Sequence, residues 1–488
     1  MYYYKFPYII YRNYQDYGYL TDNRNFGYDT ASKSCLKLGD RILSKSGSVF
    51  YSVLSEHPRS LTEIVDELCS IFSDAVHTDI ENDAYDFFLD LSRDGFIGQV
   101  YSLQDVSLNS SFSYDSREPL SFSDRENSDE SSSLDGIWND EYRLVRVHLN
   151  ISGPCNEHCV HCYFPDEYRT KIMSKAQFCS ILDQCIECNV MNITLSGGEP
   201  MLNSNLIYFI DKCRENNFSV NILSNLTLLT DDMVSVFSKT PLLSVQTSLY
   251  SMDADIHDSI TKVKGSFIKT KHAIEVLREH NVPMQINCPI MKQNKDTYQT
   301  VLDWAASLNI EANSDYMIFG CFDGLGGNLS CRLDPSQVEI LLKKNNVATN
   351  IVRKSTDDTN GLSESRYSVC PVCLNSLCIS YDGTVYPCEG WQSMILGNVN
   401  DTPLSCLWAE SEGINKLRGL TIEEDFPQCA ACENKDYCSI CLIRNANESS
   451  QGDYKNINPY FCEIARIKKN LAKNRTESVA VVERIEQG

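Results

Sequence analysis

From about Tyr142 onward the chain alternates short apolar runs with amphipathic stretches. YRLVRVHLNIS, NITLSGG, SVNILSN, LLSVQTSLY, PMQINCPIM and YMIFG read as strands. Stretches such as AQFCSILDQCIEC and IKTKHAIEVLREH between them carry the helical period. Repeated βα units predict parallel strands with right-handed crossovers. Six of them predict an α/β fold built as an open or partial barrel, with any site at the C-terminal ends of its strands. The first 103 residues follow other rules. The Tyr-rich runs YIIYRNY and DYGYLTD read as strands, and helices are expected near Arg41–Leu54, Leu61–Ser73 and Ile80–Ser92. In the second of these, Leu61, Ile64, Val65, Leu68 and Ile71 share one face. FFLDLSRDGFIGQV then reads helix, turn, strand.

Composition adds a boundary and excludes some partners. Residues 104–140 are Ser-rich and hold nine acids against two arginines, too little apolar surface to order themselves, so a flexible linker is expected there. With 43 basic and 66 acidic residues the 488-residue chain carries a formal charge of −23, which repels phosphate backbones and argues against nucleic acid. No apolar run approaches the roughly 18 residues of a membrane helix, so no membrane partner is expected. The first residues, MYYYKFPYIIYRNY, lack the apolar core of a signal peptide, so the expected location is cytoplasmic.

The 22 cysteines change the picture most. In a reducing compartment clustered thiols point to metal rather than to disulfides. Cys155, Cys159 and Cys162 stand in C-x3-C-x2-C directly after the first barrel strand. Three thiolates so close together suit three irons of a 4Fe–4S cube, with the fourth iron left open. A structural zinc loop is the alternative, with His158 or His161 as its fourth ligand. The second strand ends in Ser196-Gly197-Gly198-Glu199-Pro200, where paired glycines let a ligand approach the backbone and Glu199 offers a carboxylate to an ammonium group. Ten more cysteines fall between Cys370 and Cys462. The remaining nine are scattered, and for them burial as small hydrophobes is the ordinary role; Cys185 and Cys188 form a CxxC inside a predicted helix, and Cys321 follows the last predicted strand.

CNEHCVHC followed by GGEP resembles the radical S-adenosylmethionine (SAM) superfamily, whose fold is a partial, TIM-like (β/α)6 barrel. The resemblance implies that Cys155, Cys159 and Cys162 hold a cluster whose open iron is chelated by the methionine part of SAM. One-electron cleavage of the sulfonium then yields a 5′-deoxyadenosyl radical that abstracts a substrate hydrogen. It further implies SAM contacts from Gly197, Gly198, Glu199 and Pro200, and from Ser248 in SVQTSLYSMDADIHDSITKVKGSF. Asn225 stands where relatives carry Thr-Asn-Gly and this chain reads Ser-Asn-Leu. His161 stands where an aromatic packs near adenine.

The later cysteines resemble a SPASM extension, which binds auxiliary iron–sulfur clusters. Cys370-x2-Cys373 leads into ISYDGTVYPC, with Asp382-Gly383 as a two-residue hairpin turn before Cys388. Cys429-x2-Cys432-x5-Cys438-x2-Cys441 and Cys462 follow, the last pair shorter than the usual C-x3-C. The resemblance implies one cluster on Cys370, Cys373, Cys388 and Cys441, and another on Cys429, Cys432, Cys438 and Cys462, with Cys378 as a spare. Zinc ribbons are the alternative reading of the CxxC pairs.

Residues 1–103 form a winged-helix-like module that resembles the RiPP recognition element of peptide-maturing systems, through LSKSGSVFYSVL, SLTEIVDELC and FFLDLSRDGFI. Such a module takes a leader peptide as an added strand. The domains expected are therefore 1–103 for leader binding, 104–140 as linker, 141–345 as radical SAM core and 346–488 as SPASM. The expected function is maturation of a ribosomally made precursor peptide by thioether crosslinking, as in sactipeptide and ranthipeptide maturases. It would use SAM, three 4Fe–4S clusters and a flavodoxin- or ferredoxin-type electron donor. Carbon–carbon crosslinking, formylglycine formation and a leader-binding scaffold without catalysis are the alternatives.

Overall fold

A computed structural model describes residues 1–22, 26–27, 38–103, 142–165, 167, 169–241, 243–344 and 369–486, with side chains to residue 473. The acidic linker expected at 104–140 and the expected boundary at 345/346 lie outside the described residues.

The N-terminal module holds two small antiparallel sheets. One has the order β5 (Arg59–Ser60), β1 (Tyr2–Lys5), β6 (Ile97–Val100). The other is the meander β2 (Ile9–Tyr14), β3 (Tyr17–Asp22), β4 (Arg41–Ser44). Three helices, Lys45–Ser52, Leu61–Ile71 and His77–Arg93, pack on them. The helix expected from Arg41 begins at Lys45, because residues 41–44 pair with β3 and Ser44 caps the helix by accepting from the Gly47 amide. Ser60 and Glu63 form a capping box on the second helix. Ile64, Val65 and Leu68 bury as the period requires, but Ile71, expected on the same face, is exposed in the last turn, past the end of the core.

The main sheet has nine strands. β7 (Arg146–Ser152), β8 (Asn192–Gly197), β9 (Ser219–Leu223), β10 (Leu243–Ser248), β11 (Met284–Asn287) and β12 (Glu311–Asn313) are neighbours in chain order and all parallel. Among the described residues the sheet does not close, as a partial barrel requires. On the outer face Val147, Leu149, Ile193, Leu195, Val220, Ile222, Val245 and Ile286 join the core under the helices. The alternate positions are polar. They are linked by Ser244 donating to Asn221 Oδ1 at 2.7 Å, Gln246 to Gln285 at 2.8 Å, and a His148–Ser196 contact at 2.5 Å. The strands that read as apolar runs thus turn a polar face to the barrel interior.

Three features differ from the sequence reading. YMIFG (316–320) is not the sixth strand; β12 precedes it, and residues 315–319 instead bond loops, Ile290 N–H to the Asp315 carbonyl at 2.7 Å and Asn328 to the Phe319 carbonyl at 3.0 Å. The sheet also continues past β7 into the Cys-rich region. β13 (Ser376–Ile379) runs parallel to β7, and β14 (Thr384–Tyr386) and β15 (Gly397–Asn398) add antiparallel strands. Last, the β13–β14 turn is a three-residue loop. Ser380 and Thr384 pair across it, and Gly383 takes φ +86°, the left-handed position such loops require.

The module sits against the N-terminal ends of the barrel strands. Arg12, buried, donates Nε to the Val190 carbonyl at 2.8 Å and lies 4.8 Å over the Phe218 ring. Asn221 donates to the Phe26 carbonyl at 3.0 Å. Ile10, Tyr14, Tyr19 and Phe26 bury together with Val145 and Met191 of the barrel.

Candidate active site

β7 ends in a register shift between Asn150 and Ser152, a bulge that turns the chain into the loop carrying Cys155, Cys159 and Cys162. All three thiols are half-buried. The Ser152 carbonyl accepts the Gly198 amide at 2.6 Å and the Pro154 carbonyl accepts the Glu199 amide at 2.9 Å, so the GGEP turn clasps the start of the cysteine loop. A Cβ on Gly197, which has φ +128°, would lie 2.0 Å from the Ser152 carbonyl oxygen. One on Gly198 would lie 2.4 Å from two carbonyl oxygens. Only glycine permits this approach.

Glu199 is fully buried, and burial pushes its carboxyl up to about 7. Oε1 accepts the Met201 amide at 2.9 Å and the Ser224 hydroxyl at 2.7 Å, and Oε2 accepts the Asn225 amide at 2.8 Å. The carboxylate therefore ties the end of β8 to the end of β9, and Oε2 keeps a lone pair for a ligand. Pro200, buried, begins a short 3₁₀ turn. The Ser-Asn-Leu turn holds a left-handed residue. Leu226 has φ +62° and is buried, with its amide on Ser224 Oγ at 2.9 Å. Asn225 Nδ2 donates to Asn156 Oδ1 at 2.9 Å, and Asn156 Nδ2 to Thr227 Oγ1 at 2.6 Å, which joins this turn to the cysteine loop. Nothing in the spacing of Asn156 or Thr227 announced that link.

Ser248 closes β10 on the inner face, opposite Asn287 of β11. His161 packs edge-on to Tyr250 at 5.2 Å, and burial pushes its pKa down to about 4, so it is neutral. Tyr250 reaches Cys159 Sγ at 3.8 Å through its hydroxyl and donates its amide to His257 Nδ1 at 3.3 Å. Cys321, half-buried, donates to the Cys162 carbonyl at 3.3 Å, whereas Cys185 is buried in the core as its helical setting predicts.

The later cysteines fall into three neighbourhoods. Cys429, Cys432, Cys438 and Cys462 are close enough to act on one another electrostatically, and Cys438 and Cys462 are exposed. Cys370 couples with Cys373 and Cys441, while Cys388 lies with Cys378 and Glu389, its thiol 3.1 Å from Glu389 Oε2. Burial pushes Cys155 and Cys373 up to about 12 and Cys429 to about 11, so metal loading must displace protons. A cavity of 480 Å3 is walled by Tyr316, Phe319, Cys441, Arg444 and Lys468. Phe319 stacks on Tyr163 at 5.3 Å, next to Cys162.

Among the described residues no three His, Cys, Asp or Glu side chains converge on one metal ion. Glu157 Oε1 and His161 Nδ1 are buried in the same loop without hydrogen-bond partners. The three thiols, with the open lone pair of Glu199 Oε2 on the turn packed against their loop, fit an iron–sulfur cluster with SAM beside it.

Residues 149–305 match the radical SAM superfamily, and residues 370–434 match SPASM, an iron–sulfur cluster-binding domain. The chain thus carries a radical SAM domain followed by a SPASM domain; it is an enzyme, and its cofactors are SAM and iron–sulfur clusters. It is similar to the AdoMet-dependent heme synthase of Methanosarcina barkeri, 24% identical over 335 residues, 64% of this chain and 94% of that one. Its fold is similar to the crystal structure of Streptococcus suis SuiB bound to precursor peptide SuiA, with TM-score 0.57, 14% identity and coverage of 94% of this chain and 100% of that one. It is also similar to anSMEcpe with bound AdoMet and Cp18Cys peptide, with TM-score 0.52, 18% identity and coverage of 69% and 99%. No helix among the described residues is long and apolar enough to cross a membrane.

Proposed function

We propose that this enzyme matures a ribosomally made precursor peptide by forming thioether crosslinks, gripping the leader with residues 1–103, tethering through 104–140, generating the radical in 141–345 and holding two auxiliary clusters in 346–488. The observation that carries the reading is one end of one sheet. There the three-cysteine loop and the GGEP turn stand together, with an N-terminal module of its own core docked at the other end of the strands. The match to SuiB, a protein solved with a precursor peptide, covers a share of this chain too large to omit that module, which supports a peptide substrate.

In this reading Cys155, Cys159 and Cys162 hold the first cluster. Cys370, Cys373, Cys388 and Cys441 hold the second, and Cys429, Cys432, Cys438 and Cys462 the third. When bound, the first cluster and SAM supply one-electron reductive cleavage and an organic radical that removes a carbon-bound hydrogen. Gly197 and Gly198 let the GGEP turn seat against the cysteine loop beside the methionine part, Glu199 Oε2 takes its ammonium, and Ser248 and Asn225 orient the rest. His161 supplies a neutral ring near adenine. Forming C–S from C–H and S–H releases one hydrogen atom from carbon, one proton from sulfur and one surplus electron. Clusters held by the later cysteines would accept that electron, and a flavodoxin- or ferredoxin-type protein in the cytoplasm would supply the reducing electron.

The test is mass spectrometry of full-length precursor after anaerobic turnover. Thioether formation removes two hydrogens per link and blocks the cysteine to alkylation. Loss of two hydrogens with the thiol still alkylatable would mean carbon–carbon crosslinking, and replacement of sulfur by oxygen would mean formylglycine formation. No change in any peptide despite cleavage of SAM would overturn the maturase reading.

A further inference from the structure

Arg169 lies seven residues beyond Cys162 and belongs to no motif read from the sequence. Its guanidinium makes three contacts with the cysteine loop. Nη1 donates to the Glu157 carbonyl at 2.8 Å, and Nη2 donates to Cys162 Sγ at 3.3 Å and to the Phe164 carbonyl at 3.2 Å. We propose that Arg169 is a positioning residue for the first cluster, closing the three-cysteine loop and setting the reduction potential of the cluster it holds. The inference rests on the assignment of Cys155, Cys159 and Cys162 above.

The planar fork explains the residue type. Only arginine offers divergent N–H groups that reach a backbone carbonyl on one side of the loop and a ligand sulfur on the other. A lysine at the same place keeps the charge and loses the fork. The charge has its own effect. Glu157 and Glu199 act on Cys155 with negative charge, and Arg169 opposes them. A cluster gains negative charge on reduction, so a cation hydrogen-bonded to one of its sulfurs favours the reduced form. Placed among carboxylates in a protein of charge −23, Arg169 keeps the first cluster reducible by an ordinary donor. It also joins Phe164, beyond the last cysteine, to Glu157, before the second, which fixes the span between the outer thiols.

The experiment is an EPR-monitored redox titration of reconstituted full-length enzyme, following the part of the reduced signal that SAM shifts. Arg169→Gln, Arg169→Lys and a Cys155/Cys159/Cys162→Ala blank are compared with the parent. Expected in R169Q is a roughly tenfold lower ratio of reduced to oxidised first cluster at fixed potential, 59 mV for a one-electron couple. R169K, with its charge kept, recovers about half of that shift on the logarithmic scale. Selective loss of about four irons from R169Q, with R169K loaded, also supports the loop-closing role. A parent-like midpoint in both variants overturns the inference. So does joint loss of all clusters and of the folded circular dichroism in both, which would make Arg169 a residue of the fold alone. A SAM-sensitive signal that survives in the cysteine blank overturns the cluster assignment instead.

Discussion

Asn217, at the entry to β9, accepts the Tyr11 amide on Oδ1 at 2.8 Å and returns Nδ2 to the Ile9 carbonyl at 3.0 Å. One side chain thus completes the edge of β2 as a neighbouring strand would. Together with Arg12 on Val190, it fixes the N-terminal module to the barrel directly.

Loosening this contact should separate docking from catalysis. Arg12→Ala with Asn217→Ala leaves the Val190 carbonyl and the β2 edge unpartnered, about 1–3 kcal/mol for each buried group. Hydrogen exchange of β2 and of the turn before β8 should accelerate, with cleavage of SAM unchanged. Unaltered exchange would show that the apolar contacts of Ile10, Tyr14 and Phe26 suffice.

Replacing Cys155, Cys159 and Cys162 by Ala should remove about four of about twelve irons and abolish 5′-deoxyadenosine. Leader binding, measured by fluorescence anisotropy, should persist, because the module buries its own core of Leu20, Ile64, Leu68 and Phe88.

Glu199 sets a pH dependence of the metal-free protein. Its folded pKa, about 7, lies above the unfolded 4.5, so its contribution is full below 4.5 and lost as pH rises through 7. The span is of order 3 kcal/mol. Glu199→Gln should therefore gain stability relative to the parent between pH 5 and pH 8. The check is urea denaturation at the two pH values, and a constant difference refutes it. His161 acts in the opposite sense, since its pKa of about 4 makes its contribution full above 6.5 and lost as pH falls through 4.

The two auxiliary groups should differ in lability. Cys438 and Cys462 are exposed, whereas Cys370 and Cys373 are buried. A chelator or brief exposure to air should strip the 429/432/438/462 group first, followed as iron release and by Mössbauer spectra. Simultaneous loss would contradict the ranking.

Leu226 holds a left-handed turn at a cost of roughly 1–2 kcal/mol, yet its buried side chain returns more. Leu226→Gly relieves the strain but loses at least the 2–5 kcal/mol of a buried Leu→Ala change, so a net loss of about 2 kcal/mol is expected by thermal denaturation. A stabilised variant would show that the turn, not the core contact, governs this position.

The sequence by itself determined what neighbours in the chain can encode. Three thiols spaced over eight residues, the glycine pair that Ser152 and Pro154 approach and the order of βα units all depend on local geometry, and all were legible. The tertiary structure decided what depends on distant partners. β13 joins β7, Asn217 completes β2 from 206 residues away, and Cys378 lies with Cys388 rather than with Cys370. YMIFG had a strand's composition but became a loop, because its backbone groups found partners on other loops. The contact of Arg169 with Cys162 has no period to betray it. Such pairings follow from which surfaces meet once the chain has closed long loops, and no window of local sequence contains both halves of that choice.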